Sequence, residues 1–325
     1  MIRLFLGNRV GVLLLLPLIL ALYTIGYFFG YNPVFGPSIQ VEQLIPYLAE
    51  IPEAHLMAHF IMLLLNAVAL NWVFNSREFL EKNTFIISLN YLIFESFFHS
   101  WGEPSWLLVA QFFSIIGLGL FLGIKPQQIA KKTAFNASFV FGLSVYFETS
   151  FVLLLPLLIF MFISIRGLFW RELVLIVIGF LMPLGGLLSF YFFSNGLAGL
   201  HFIPKMKFYW PNWQDYTIFL WLGLILIFSL FGLRARLLKA SLKLKKQTQV
   251  LTLYLFYVLL IGTTGFFYTG QFGFLSLVVI PFSFYFSYAL LSSSLGISSH
   301  LFYYLLFVFS LLKFVLFYIL SLDFY

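Results

Sequence analysis

Long apolar blocks recur from end to end of this chain, separated by short polar stretches. Blocks of this length predict helices that cross a bilayer, whose hydrocarbon core of roughly 30 Å takes about 20 apolar residues. The first block, Val10 to Gly30, follows Arg3 and Arg9 and has no small-residue cleavage site, so it is read as a retained helix rather than a secretory leader. Further spans are expected at about 55–75, 83–99, 105–124, 134–149, 150–165, 172–194, 216–233, 250–268, 271–291 and 300–320, eleven in all. The expected fold is therefore all-α, a polytopic helical membrane protein with about eleven transmembrane helices in a single transmembrane domain over residues 1–325. Its longer connections are outer loops at about 31–54 and 195–215 and a basic inner loop at 234–249.

Residues 134–165 could form one overlong helix or two slightly short ones, and the distribution of charge decides. Cytoplasmic loops carry excess Lys and Arg. With a turn at Glu148-Thr149-Ser150 and the N-terminus cytoplasmic, fifteen of the eighteen Lys and Arg residues fall inside, among them Arg77, Lys131, Lys132, Arg166 and Arg171. Only Lys205 and Lys207 fall outside, while Lys313 sits within the last span. A single helix over 134–165 would put Arg166, Arg171 and the basic run that follows residue 233 outside, so two spans are predicted. Acidic residues go the other way: eight of eleven fall at or near the outer face, which makes that face the place to look for function.

Composition sharpens the class. The 325 residues are 62% hydrophobic, 22% aromatic and only 9% charged, against about 25% charged residues in ordinary soluble domains. A water-soluble fold cannot cover its surface with so few charges. The net charge of +7 lies between apolar runs, which excludes nucleic-acid binding as its meaning. With no cysteine, disulfide scaffolds, thiolate metal sites and cysteine nucleophiles are excluded as well. The expected location is the bacterial inner (cytoplasmic) membrane.

Candidate chemistry is sparse. The outer loop at 195–215 carries His201, Lys205 and Lys207 among Phe, Tyr and Trp residues. It reads either as an aromatic belt with lysines reaching lipid phosphates, or as a site for a phosphate-bearing amphiphile held by those three side chains. The inner run Arg234, Arg236, Lys239, Lys243, Lys245 and Lys246 is helix-compatible and reads as a contact for anionic lipid or a cytoplasmic partner. His55 and His59 share a helix face, but Leu56-Met57-Ala58 stand where a zinc protease needs glutamate, so no metal is predicted. Gly117, Gly119 and Gly123 miss the dinucleotide-binding spacing and read as close helix packing, and no cofactor is expected. Ionisable residues inside spans are expensive and therefore functional candidates by default. They are Glu95, which could pair with His99 four residues on, Glu148 at the turn, and Lys313 with no obvious local partner. Asn66 and Asn71 are of the kind that join helices.

The segment Gln111-Phe112-Phe113-Ser114-Ile115-Ile116-Gly117-Leu118, then Lys131-Lys132-Thr133, Gly142-Leu143-Ser144-Val145-Tyr146-Phe147, Leu153-Leu154-Leu155-Pro156, Arg166, Arg171-Glu172, Gly179 and Pro183 resembles a family of uncharacterised multi-spanning inner-membrane proteins of Gram-negative bacteria. The likeness covers about residues 70–190 and brings no activity with it. More loosely, the first helix, the acid-bearing first outer loop and the hairpin before a basic turn resemble GT-C glycosyltransferases that use polyprenyl-phosphate sugars. That resemblance implies a carboxylate base in the first outer loop, for which Glu53 or Glu50 stands nearest, and outer basic residues on the lipid phosphate. The acidic pair usual in that loop and a soluble outer domain are both missing. Two functions are therefore expected to compete: a non-catalytic subunit or scaffold of an envelope-assembly complex, with membrane lipids and proteins as partners, and a transferase acting on a polyprenyl-phosphate lipid. Transport comes after both, because no repeat or central acid marks a midplane site.

Overall fold

The computed structural model describes residues 2–7, 10–28, 52–80, 83–98, 106–125, 128–194, 208–238, 240–270, 272–291 and 296–322. Over these residues the chain is helical, with no strand. The helices are α1 (Ile2–Phe5), α2 (Leu15–Phe28), α3 (Pro52–Ser76), α4 (Ile86–Glu95), α5 (Trp106–Phe121) and α6 (Lys131–Ser144), followed by α7 (Leu154–Arg166), α8 (Trp170–Ser194), α9 (Trp213–Leu237), α10 (Leu242–Thr269), α11 (Val279–Leu291) and α12 (Gly296–Leu322). Single 3₁₀ turns lead into α2, α7 and α11.

A helix stands at each of the eleven expected positions, and α1 is an extra turn before them. Among the described residues, six segments are long and apolar enough to cross a membrane: Met57–Ser76, Thr149–Arg166, Trp170–Ser189, Trp213–Leu237, Leu242–Thr269 and Phe274–Leu291. Apolar stretches in α2, α4, α5 and α12 are shorter. The widest departure from the expected spans is α4. Its ten residues rise about 15 Å, half the hydrocarbon thickness, at 1.5 Å per residue. Every one of them is buried, so protein rather than lipid surrounds this helix.

Burial separates a hub from a rim. Of the Phe274–Leu291 segment 94% is buried, against 33–44% for the other five long segments. The hub is α11 against α4, with α3 packed on α4 and α5, α5 on α6, α6 on α8, and α9 on the far side of α11. Rim helices turn large apolar side chains outward, such as Phe193 on α8, Phe231 on α9 and Phe256 on α10. An outward apolar face suits hydrocarbon and would aggregate in water.

Residues 134–165 form two helices. The chain leaves α6 at Ser144, and the Glu148 carboxylate accepts hydrogen bonds from the Ser150 amide (3.3 Å) and hydroxyl (2.7 Å), closing the turn into α7. The chain then returns to the end from which α6 started. There the Ala130 amide donates to Glu172 (3.1 Å), Glu172 pairs with Arg166 (3.3 Å), and Arg166 also donates to the Gln128 carbonyl.

The same end of the bundle gathers the other basic segments. Arg77, just past α3, donates to the Gly119 carbonyl in α5 (2.9 Å), and Gln247 in α10 donates to the Arg77 carbonyl (3.4 Å). Lys243 meets Glu78 at 2.6 Å in an exposed pair that, by its exposure, contributes little stability. Phe85 donates through its amide to the Phe5 carbonyl, which ties the N-terminal turn to this end. The run Arg234 to Lys246 is not one helix. Arg234 and Arg236 close α9, and the Ser241 hydroxyl accepts from the Leu244 amide (3.3 Å) to start α10. Serine is a strong helix-start residue, and here it splits the run into two helix ends.

Candidate functional site

At the opposite end, three helices meet around one glutamine. Tyr91 and Glu95 stand four apart on α4 and so share a face. Gln111 on α5 reaches both: its Oε1 accepts from the Tyr91 hydroxyl (2.6 Å), and its Nε2 donates to Glu95 Oε1 (2.9 Å). The second hydrogen of the same amide donates to the Ser276 hydroxyl (2.9 Å), which donates in turn to the Gly273 carbonyl (2.7 Å). All four side chains are buried. Donors run in one direction, from the tyrosine through the amide to a carboxyl group, and both N–H donors of Gln111 are used.

Next to this group, Tyr23 on α2 and Ser310 on α12 share a hydrogen bond of 2.6 Å. Lys313, one turn further along α12, lies buried with its ammonium 5.0 Å from the centre of the Phe97 ring. An ammonium over an aromatic face gains about 1–2 kcal/mol once desolvated, so the lysine that lacked a partner in sequence has one in the fold. Deeper in the hub, Asn90 on α4 donates to Ser287 (3.0 Å) and to the Ser283 carbonyl (3.4 Å) on α11. Asn66 on α3 donates to the Leu108 carbonyl on α5 (2.9 Å), the helix-joining role expected of it. These contacts hold helices in register and leave Glu95 as the acidic group at their centre.

Two glycines of α5, Gly117 and Gly119, and Gly123 just past its end are spaced for packing. A β-carbon on Gly117 would lie 2.7 Å from the Phe141 ring, on Gly119 2.7 Å from Val73, and on Gly123 2.7 Å from the Arg77 guanidinium. His59 is buried on α3 beside Phe60, and among the described residues no three His, Asp or Glu side chains gather as a metal would need.

Glu50, His201, Lys205 and Lys207 lie outside the described residues, as do His99 and Lys239. Glu53 is in the first turn of α3, with only its backbone described. Of the inner cations, Arg234, Arg236, Lys243, Lys245 and Lys246 come together at the basic end through the α9–α10 turn.

Glu148 behaves as a part-buried carboxyl group. Burial pushes it above the ordinary carboxylate range, and the hydrogen bonds from Ser150 oppose that push. The folded state therefore holds this proton more tightly than the unfolded chain. Its contribution to stability is full below the ordinary carboxylate value and falls as pH rises through the raised folded value. Glu148→Gln removes the proton and keeps an acceptor for Ser150. We expect melting temperatures of the variant, measured between about pH 4 and 7, to decline less with pH than those of the wild type. Parallel pH profiles would refute this account of Glu148.

Six long apolar helices, a polar hub sealed from the surroundings and an apolar rim define a helical membrane protein. Neither protein-family models, nor characterised proteins, nor solved structures give a match to this chain.

Proposed function

We propose that the chain is an eleven-pass protein of the bacterial inner membrane, N-terminus and basic end in the cytoplasm, that serves as a non-catalytic subunit or scaffold of an envelope-assembly complex. The orientation follows from the clustering of Arg77, Arg166, Arg171, Arg234, Arg236 and Lys243 at one end, because positive loops stay inside. The observation that carries the scaffold reading is the state of the hub. The hydrogen bonds of Gln111 run entirely to Tyr91, Glu95 and Ser276, and Asn90 binds Ser287, so these groups lock α4, α5 and α11 together rather than facing a substrate. Outward apolar residues on α8, α9 and α10 supply surfaces that either lipid or a partner's helices can cover.

A transferase makes the opposite demand on the first outer loop, where Glu53 or Glu50 would have to take the acceptor's proton. The test is complementation of a deletion strain with Glu50→Gln and, separately, Glu53→Gln, with abundance checked by immunoblot. A scaffold tolerates both; at Glu53, in the first turn of α3, a carboxylate contributes only about 0.3–1 kcal/mol through the dipole. Loss of complementation at normal abundance would replace the scaffold with an enzyme.

A further inference from the structure

A groove of about 410 Å³ opens on the flank of the bundle near its basic end, between the 3₁₀ turn that starts α2 and the last turns of α3. Leu13, Val68, Trp72 and Phe85 make its lining mostly apolar, and Asn71, Asn75 and Asn83 bring amides among them. The amides are not equivalent. Asn75 is engaged on both edges by Thr84, donating to its carbonyl (3.0 Å) and accepting from its amide (3.3 Å). Asn71 is only 4% exposed, and among the described residues its buried amide oxygen has no hydrogen-bond partner. A buried amide oxygen left unpaired is costly and rare, and it calls for a ligand or water to complete it. Trp72 stands 60% exposed beside it, and tryptophan favours the head-group level of a bilayer.

We propose that this groove is a binding site for a zwitterionic phospholipid whose head group carries N–H donors, the chemistry of phosphatidylethanolamine. The inference rests on the membrane reading and goes beyond it by naming a ligand. An acyl chain suits the Leu13 and Val68 wall. The amide of Asn71 presents an acceptor and a pair of donors, which match an ammonium and a phosphate oxygen on one head group. Phosphatidylcholine has no N–H to give. Phosphatidylglycerol would bring a net negative charge to a lining in which no described residue is charged.

The experiment uses the purified full-length protein in detergent, supplied with phosphatidylethanolamine, phosphatidylcholine or phosphatidylglycerol and read by native mass spectrometry. The wild type should retain phosphatidylethanolamine about tenfold more strongly than phosphatidylcholine, which corresponds to about 1.4 kcal/mol. Asn71→Leu should fold at least as well, because it exchanges an amide with an unpaired oxygen for an apolar side chain of similar size, and should lose the preference. Val68→Trp, which fills the apolar wall and leaves the amide intact, should lower retention of phosphatidylethanolamine. Equal retention of the two zwitterionic lipids, preference for phosphatidylglycerol, or unchanged retention by either variant overturns the site. A wild type that holds no lipid of any class overturns the membrane reading with it.

Discussion

Gln111→Leu should cost the protein on the order of 3 kcal/mol, enough to show as a large loss of thermal stability in mild detergent. The leucine fills the space but withdraws an acceptor from Tyr91 and donors from Glu95 and Ser276, all of them buried, on α4 and on the 3₁₀ turn before α11. Neutral hydrogen bonds between membrane helices average only about 0.6 kcal/mol, so the two hydroxyl contacts alone would give a modest effect. The carboxyl group makes the difference, because a buried acidic group that loses its donor is penalised far more than a hydroxyl is. The same reasoning gives a sign for the double variant. Gln111→Leu with Glu95→Leu removes the buried acid as well as the amide that donates to it, and should be more stable than Gln111→Leu alone. The two losses should therefore be strongly non-additive, as expected for residues in one network. Additive losses in melting experiments would mean that Gln111 and Glu95 do not act on each other.

The second large effect is at a close approach of two helices, α6 and α8. A β-carbon on Gly142 in α6 would lie 2.5 Å from the Phe180 carbonyl oxygen of α8, and one on Gly179 in α8 would lie 2.7 Å from the Phe135 carbonyl oxygen of α6. Both obstacles are backbone, so neither can swing aside. Gly142→Ala should therefore destabilise by about 1–3 kcal/mol, the usual cost of overpacking, although alanine is the better helix former by about 1 kcal/mol. Gly185 on α8 provides the contrast, since a β-carbon there meets nothing within 4 Å. Gly185→Ala should gain roughly 0.5–1 kcal/mol from propensity alone. The predicted result is one substitution with two signs on one helix pair. Equal effects at Gly142 and Gly185, measured as melting temperatures, would show that α6 and α8 are not in close contact.

Much of this fold is visible in the sequence because hydropathy and charge act locally. Apolar blocks mark where helices stand, and the clustering of Arg and Lys between alternate blocks marks which segments share an end. Residues 134–165 divide at Glu148 as the charges required, with Arg166 returning to Gln128 beside Lys131. Hydropathy measures the length of an apolar run rather than the length of a helix, however. The run at 83–99 contains a ten-residue α4, because neighbours cover what lipid otherwise would. The serine that divides the basic run is a single-residue signal inside a helix-favouring composition, and composition masked it. The hub was half visible. Glu95 stands out as a charge within a span, but an amide such as Gln111 barely alters a hydropathy profile. Its partner Ser276 lies 165 residues away, a pairing that no local pattern encodes. Lys313 shows the same limit, since its aromatic platform Phe97 stands in the turn just past α4, in the first third of the sequence.

The enclosure of α4 has a consequence for synthesis. Asn90 meets Ser287 across 197 positions of sequence, and ribosomes add about 5–20 residues per second. On the order of 10–40 s therefore separate the emergence of α4 from that of the helix that covers it. Throughout that interval a segment half a bilayer long, carrying Asn90 and Glu95, waits without its partner. A chain truncated before Val279 never supplies that partner. The full enclosure of α4 thus depends on the last quarter of the polypeptide.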